Sequence, residues 1–166
     1  MAALKREAAR QALGEVKSGQ IVGLGSGSTA AHFIDLLGEA LASGKLSDIR
    51  GVPTSRESEQ LARDAGIALT TLDEVTCCNV VVDGADEVDP ELRLVKGLGG
   101  ALLREKIVAQ NSDRRVIIAD ASKQVDRLGT KGPLPVEVLP FAHERLPAFF
   151  ESLGGRPVLR MASGEP

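Results

Sequence analysis

The chain predicts an α/β fold built on a largely parallel sheet. Short apolar runs that read as buried strands recur through the first 128 residues, helices separate them, and polar or Gly-rich loops follow three of the runs. A Rossmann-like domain over residues 1–128 then gives way to the start of a smaller α+β domain over residues 129–166.

Leu4, Ala8, Ala12 and Val16 recur at helical spacing, and Ser18-Gly19 ends that first helix. Ile21–Leu24 is a short apolar strand, followed by the turn Gly25-Ser26-Gly27-Ser28. A second helix carries Ala30, Phe33, Ile34, Leu37 and Leu41 on one face. Ile49–Val52 reads as the next strand, Ser55–Ala65 as a polar helix stopped by Gly66, and Ile67–Leu69 as a further strand. Val80–Val82 is a buried strand, Leu92–Val95 extended, Gly100–Gln110 helical and Val116–Ala119 again a buried strand. The Gly- and Pro-rich stretch Gly129–Pro135 reads as a connection. Beyond it Val136–Leu139 reads as a strand, Ala142–Leu153 as a helix and Pro157–Met161 as a strand, a β-α-β opening of the second unit.

Composition excludes several partners. The net charge is -3 with no basic tract, Trp and Tyr are absent and only four Phe occur, so a nucleic-acid backbone finds neither charge nor stacking surface. No apolar run approaches the length of a membrane span, and the charged segment Met1–Val16 reads as an amphipathic helix, not a signal peptide. Cys77 and Cys78 are adjacent, which disfavours a disulfide between them, and no CxxC or nearby histidine completes a metal site. Both read as reduced thiols in a packed strand, and His32 and His143 as structural. A cytoplasmic enzyme or binding protein is the expectation.

Ligands of parallel sheets gather at the carboxyl ends of the strands. The loops Gly25–Thr29, Asp83–Asp86 and Asp120–Lys123 each follow a strand, so all three can converge on one rim. In the first, glycines admit an anion to the backbone and Ser26, Ser28 and Thr29 add donors at a helix start, which suits a phosphate. Tight strand-to-helix packing explains the same glycines equally well. No dinucleotide fingerprint is complete, because Ala30 or Ser28 stands where its third glycine belongs.

The stretch Asp83–Glu105 concentrates the chemistry. Asp83 and Asp86 flank Gly84-Ala85 directly after a buried strand; Lys96 and the turn Gly97-Leu98-Gly99-Gly100 follow, then a helix bearing Glu105. Acids, a lysine and flexible backbone in one unit can move protons on an oxygen-rich substrate. Clustered carboxylates also suit Mg²⁺, although Lys96 can supply the positive charge itself. Glu87, Asp89 and Glu91 read as a solvated acidic turn. Glu105 shares a narrow helix face with Ala101 and Ala109 and has no cation four residues away, which leaves function and structure evenly matched. Lys123 reads either as a phosphate contact or as a surface lysine.

Together the segments IVGLGSGSTAAHFID, VVDGADEVD, KGLGGALLREKIVA, IIADASKQVDRLG and PLPVEVLPF closely resemble type A ribose-5-phosphate isomerase. The resemblance implies interconversion of D-ribose 5-phosphate and D-ribulose 5-phosphate in the pentose phosphate pathway, with no metal and no organic cofactor. It assigns Glu105 as general base, and Asp83, Asp86 and Lys96 as the polar cluster that opens the ring, moves hydroxyl protons and stabilises the oxyanion. It adds Gly84, Ala85, Gly97, Leu98 and Gly99 to the sugar site. Ser26, Gly27, Ser28 and Thr29 form the substrate loop, with Lys123 and Lys5 lending charge at the phosphate end. It further implies a homodimer or homotetramer, and a small domain that continues past Pro166. A non-catalytic sugar-phosphate sensor on the same fold is the alternative; such a protein would keep the phosphate loop but would not need Glu105.

Overall fold

The computed structural model describes residues 2–161. Its strands are β1 (Ile21–Leu24), β2 (Arg50–Pro53), β3 (Ala68–Leu69), β4 (Cys78–Gly84), β5 (Glu87–Val88), β6 (Leu94–Val95) and β7 (Ser112–Ile118). Five of them form one sheet of order β3-β2-β1-β4-β7 in which every pairing is parallel. The helices are α1 (Ala2–Leu13), α2 (Ser28–Ala42), α3 (Arg56–Asp64), α4 (Leu102–Gln110) and α5 (Leu146–Ser152).

The inner strands β1 and β4 carry apolar runs, Ile21–Leu24 and Val80–Val82, because both faces of the sheet are covered there. On β4, Val80 and Val82 face one way, into a core with Ala9 and Ala12 of α1, Phe33, Ile34 and Leu37 of α2, and Ala62 of α3. Val81, pointing the other way, packs with Val108 of α4. Full burial of side chains such as Phe33 and Ile34 stabilises by about 1.5–3 kcal/mol each. Gly23 permits the close approach of α4, since a Cβ there would sit 2.7 Å from Val81 and 2.8 Å from Val108. Helix α3 is polar and short, but Ser55 and Ser58 cap it reciprocally.

The strand order decides where a ligand can lie. From β1 the chain moves to β2 on one side; after β3 it returns to β4 on the other. The loops leaving β1 and β4 therefore diverge and open a crevice at their carboxyl ends. That is the switch point of the sheet.

Several expectations are corrected. Glu87 and Val88 pair antiparallel with Val95 and Leu94, so the acidic turn contains a strand that its charge concealed. Glu87 and Asp89 are buried and not solvated; only Glu91 lies on the surface. Strand β7 starts at Ser112, four residues before the apolar run, because Asp113, Arg114 and Arg115 are exposed along the last strand of the sheet. The chain divides into two compact units at Pro135. Residues 129–135 thus go with the first unit, where the Glu87 carboxylate accepts hydrogen bonds from the amides of Gly129 (2.5 Å) and Lys131 (2.6 Å). In the second unit, Pro140–Arg145 forms a 3-10 turn leading into α5. The segments 136–139 and 157–161 are not strands: no ladder partner occurs for either among the described residues, and a strand without one leaves its backbone groups to water.

Candidate active site

Asp83 is the penultimate residue of β4, and its carboxylate ties the two diverging loops together. Oδ1 accepts from the amides of Gly84 (2.7 Å) and Ser26 (3.2 Å), the latter in the loop after β1. Oδ2 stands 3.1 Å from the ammonium of Lys96. This contact needs a residue without a side chain at position 25: a Cβ on Gly25 would lie 2.4 Å from Asp83 Oδ1 and 2.6 Å from its Cα. Because the Cα belongs to the sheet and cannot move aside, Gly25→Ala should cost about 1–3 kcal/mol. It should also lower turnover by displacing Asp83, as thermal unfolding and kinetics together would show.

Lys96 follows β6, which places it across from the end of β4. Its ammonium donates to Gly84 O (2.6 Å) and touches Asp83 Oδ2 and Glu105 Oε2 at 3.1 Å each. The Asp83 and Glu105 side chains are 5% and 8% exposed, so one cation serves two carboxylates nearly out of water. Glu105 lies in the first turn of α4 and is buried, whereas Arg104 and Lys106 beside it are exposed. Its cation is thus tertiary, nine residues earlier in sequence. Oε2 is buried and has the Lys96 ammonium as its ion-pair partner at 3.1 Å. Burial pushes the Glu105 carboxyl above its ordinary value of 4.5, and the Asp83 charge adds to this; Lys96 acts in opposition. A carboxylate so placed is a stronger base than one in water.

Asp86 is half-buried on the outer side of the same cluster. Its Oδ2 accepts from the amide of Leu98 (3.0 Å), and its own amide donates to Val95 O (2.8 Å). Positive φ at Gly97 (101°) and Gly100 (80°) bends the turn that presents this Leu98 amide. Gly84 contributes the carbonyl held by Lys96, Ala85 is half-buried beside it, and Gly99 is exposed.

The loop after β1 meets this cluster through Ser26. The Ser26 hydroxyl lies 2.8 Å from both Thr54 Oγ1 and Ser55 Oγ, so it joins the loop to β2 and the cap of α3. Its amide is committed to Asp83. Ser26 therefore shapes the loop, while Gly27 and Ser28 are its exposed members and Thr29 is half-buried. Gly27 has φ of 87° and gives α2 no side-chain cap, so the first amides of a fifteen-residue helix have no intrahelical acceptor. Lys5 reaches over from α1 and donates to Ser28 Oγ (2.8 Å).

Sequence reasoning passed over Asp120, the buried acid that opens the loop after β7. Hydrogen bonds from the Ser122 hydroxyl and amide hold its carboxyl below the ordinary range against the opposing pull of burial, and the charges of Lys5 and Lys123 add to the lowering. The signal was in the sequence: Asp followed two residues later by Ser is an Asx turn. Thr54 and Ser55 carried no comparable sign, since only the pairing of β1 with β2 brings them to Ser26. Among the described residues, no group of three or more His, Cys, Asp and Glu is arranged to hold a metal ion, and no helix is long and apolar enough to cross a membrane.

Known proteins resemble this chain closely. The family profile of ribose 5-phosphate isomerase A (phosphoriboisomerase A) matches residues 50–166. The ribose-5-phosphate isomerase A of Roseiflexus castenholzii is 52% identical over 98% of this chain and 70% of its own length. That of Rhodopseudomonas palustris strain BisB5 is 54% identical over the same shares of the two chains. A solved D-ribose-5-phosphate isomerase in complex with phospho-erythronic acid superposes with a TM-score of 0.94 at 43% identity, over 96% of this chain and 70% of that one. With half its residues shared across nearly its whole length, and the same fold, this chain belongs to the ribose 5-phosphate isomerase A family.

Proposed function

We propose that the chain interconverts D-ribose 5-phosphate and D-ribulose 5-phosphate through an enediolate, with Glu105 as the base. The observation that carries this reading is the Lys96 ammonium standing 3.1 Å from both Asp83 and Glu105 at the switch point of the sheet. Glu105 takes the proton from C2 of the open-chain aldose, and the electron pair of that bond moves into the C1–C2 bond as negative charge develops on O1. Lys96 offers N–H donors to this oxygen in a site largely shielded from water, where a fixed charge acts most strongly. Asp86, the more exposed carboxylate, transfers the hydroxyl proton between O2 and O1. Asp83 holds Lys96 and the loop in place. Return of the proton from Glu105 to C1 completes the ketose, so one hydrogen has moved from C2 to C1 and another from O2 to O1, and no oxidant or reductant is consumed.

The phosphate lies at the other end of the crevice, on the amides of Gly27–Thr29 and the hydroxyl of Ser28, with Lys5 and Lys123 supplying charge. Lys5→Ala and Lys123→Ala should each raise KM by about tenfold, the weight of a charge-assisted hydrogen bond, with kcat changed far less. A comparable drop in kcat with KM constant would place the phosphate elsewhere. The decisive assay follows ketose formation from D-ribose 5-phosphate in deuterated water together with exchange at C2. Turnover with solvent deuterium at the transferred position supports the proposal; absence of both sinks it. We further propose that the chain acts in the cytoplasm and as a homodimer or homotetramer, which sedimentation of the purified protein would test.

A further inference from the structure

Glu87 is absent from the chemistry above, yet it is among the largest fully buried side chains, at 1% exposure. A buried carboxylate persists only where donors replace its water. Here the donors are backbone amides of one short loop. Gly129 N–H meets Oε2 and Lys131 N–H meets Oε1, so both oxygens are taken by one short segment that wraps an anion as a nest does. Hydrogen bonding from Lys131, and then from the amides of Gly129, Thr130 and Gly132, holds the carboxyl below its ordinary range against burial.

That segment leads to the site. It runs on to Pro135, whose ring would lie 3.2 Å from a Cβ on Gly97, and Gly132 lies behind Leu98. Leu98 in turn donates the amide that Asp86 accepts. Asp86 lies in the bend before β5 and Glu87 opens that strand, and their carboxylates take different partners, the Leu98 amide for Asp86 and the Gly129 and Lys131 amides for Glu87. One enters the crevice and the other enters the loop that backs it. We infer that Glu87 is a positioning residue for the isomerisation: its carboxylate fixes residues 129–135 behind the Gly97–Leu98 turn and so sets the Leu98 amide that orients Asp86. This inference rests on the isomerase reading.

Glu87→Gln tests it, because an amide group must turn an N–H toward one of two backbone N–H donors. The variant should lower kcat by about 10- to 100-fold, the scale of a small misplacement of a reacting group, with KM held within about twofold because the phosphate end is untouched. The same change made on Asp86→Asn should cost less than about threefold more, since an orienting contact is worth little once the oriented carboxylate is gone. Hydrogen exchange at residues 97–104 should quicken while β4 stays protected. Equal losses on both backgrounds, unchanged exchange in the turn, or faster exchange throughout the sheet would each overturn the inference. Should Glu87→Gln not fold, Glu87→Asp, which keeps the charge one methylene short of the loop, carries the same comparison. Turnover by the parent protein decides the isomerase reading separately, and the exchange experiment needs no activity at all.

Discussion

Replacing Glu105 by glutamine should lower kcat by about 10³-fold, within the range a positioned general base contributes. Glutamine keeps the size of the side chain and its place in the first turn of α4, so affinity for a phosphorylated sugar acid should change by less than about threefold while C2 exchange disappears. Undiminished turnover would remove Glu105 from the role. The pH dependence adds a second reading. Burial first, and the Asp83 charge next, raise the Glu105 carboxyl above 4.5, and only its ionised form accepts a proton. The kcat/KM of the parent should therefore fall on acidification through a pKa above that value, and the residual activity of Glu105→Gln should lack this limb. Stability moves in the opposite sense. The folded state holds the Glu105 proton more tightly than the unfolded chain does, so this residue destabilises the fold as pH rises from the unfolded to the raised folded pKa. Glu105→Gln should escape that penalty and equal or exceed the parent in urea unfolding at pH 7.

Lys96→Met should damage both fold and function. Methionine retains the apolar stem but removes the cation that pairs with both Asp83 and Glu105, whose side chains are nearly closed to water. Breaking a buried ion pair from one side costs about 3–5 kcal/mol, because the remaining charges keep their desolvation and lose their partner. Denaturant unfolding at neutral pH measures it. Without the ammonium, Glu105 holds its proton more tightly still, so the deficit should shrink on acidification as that carboxyl is neutralised in the folded state. A deficit independent of pH would mean that lost packing, not charge, explains the loss. Turnover should fall about 10²–10³-fold through loss of the donor to the developing oxyanion. Lys96→Arg should recover stability better than turnover, since a planar guanidinium cannot reproduce a compact ammonium shared among Gly84 O and two carboxylates.

Much of this molecule was legible before its structure. Val80–Val82 announced a strand covered on both faces, and the glycines and hydroxyls of residues 25–29 announced a strand-to-helix turn. The placement of Asp83 directly after a buried run put it at the carboxyl end of a strand. Glu105 was half legible: its spacing showed that no helical neighbour was its partner, but not that Lys96 was. The errors share one cause. Glu87 and Asp89 looked solvated because burial of a carboxylate depends on donors brought from elsewhere, the amides of Gly129 and Lys131 in one case and the amide and side chain of Arg93 in the other. For Asp89, burial works to raise the carboxyl and the Arg93 hydrogen bonds outweigh it. The two segments expected as strands in the second unit failed for a related reason: apolar alternation proposes a strand, but only a neighbouring ladder makes one.

What the residues determined by themselves was local and chemical. Side-chain periodicity set the helices and strands, glycine set the loops, and the order of strands and helices implied a parallel sheet whose loops share a rim. Membership of the family was also written there. The tertiary structure alone decided which acids lost their water. It set Glu105 against a cation nine residues away, turned Ser26 inward to Thr54 and Ser55, and seated Glu87 in a loop more than forty residues on. The physical reason is range: periodicity reflects neighbours a few residues apart, whereas the basicity of a carboxylate reflects every dipole and charge within a few ångströms, whatever their distance along the chain.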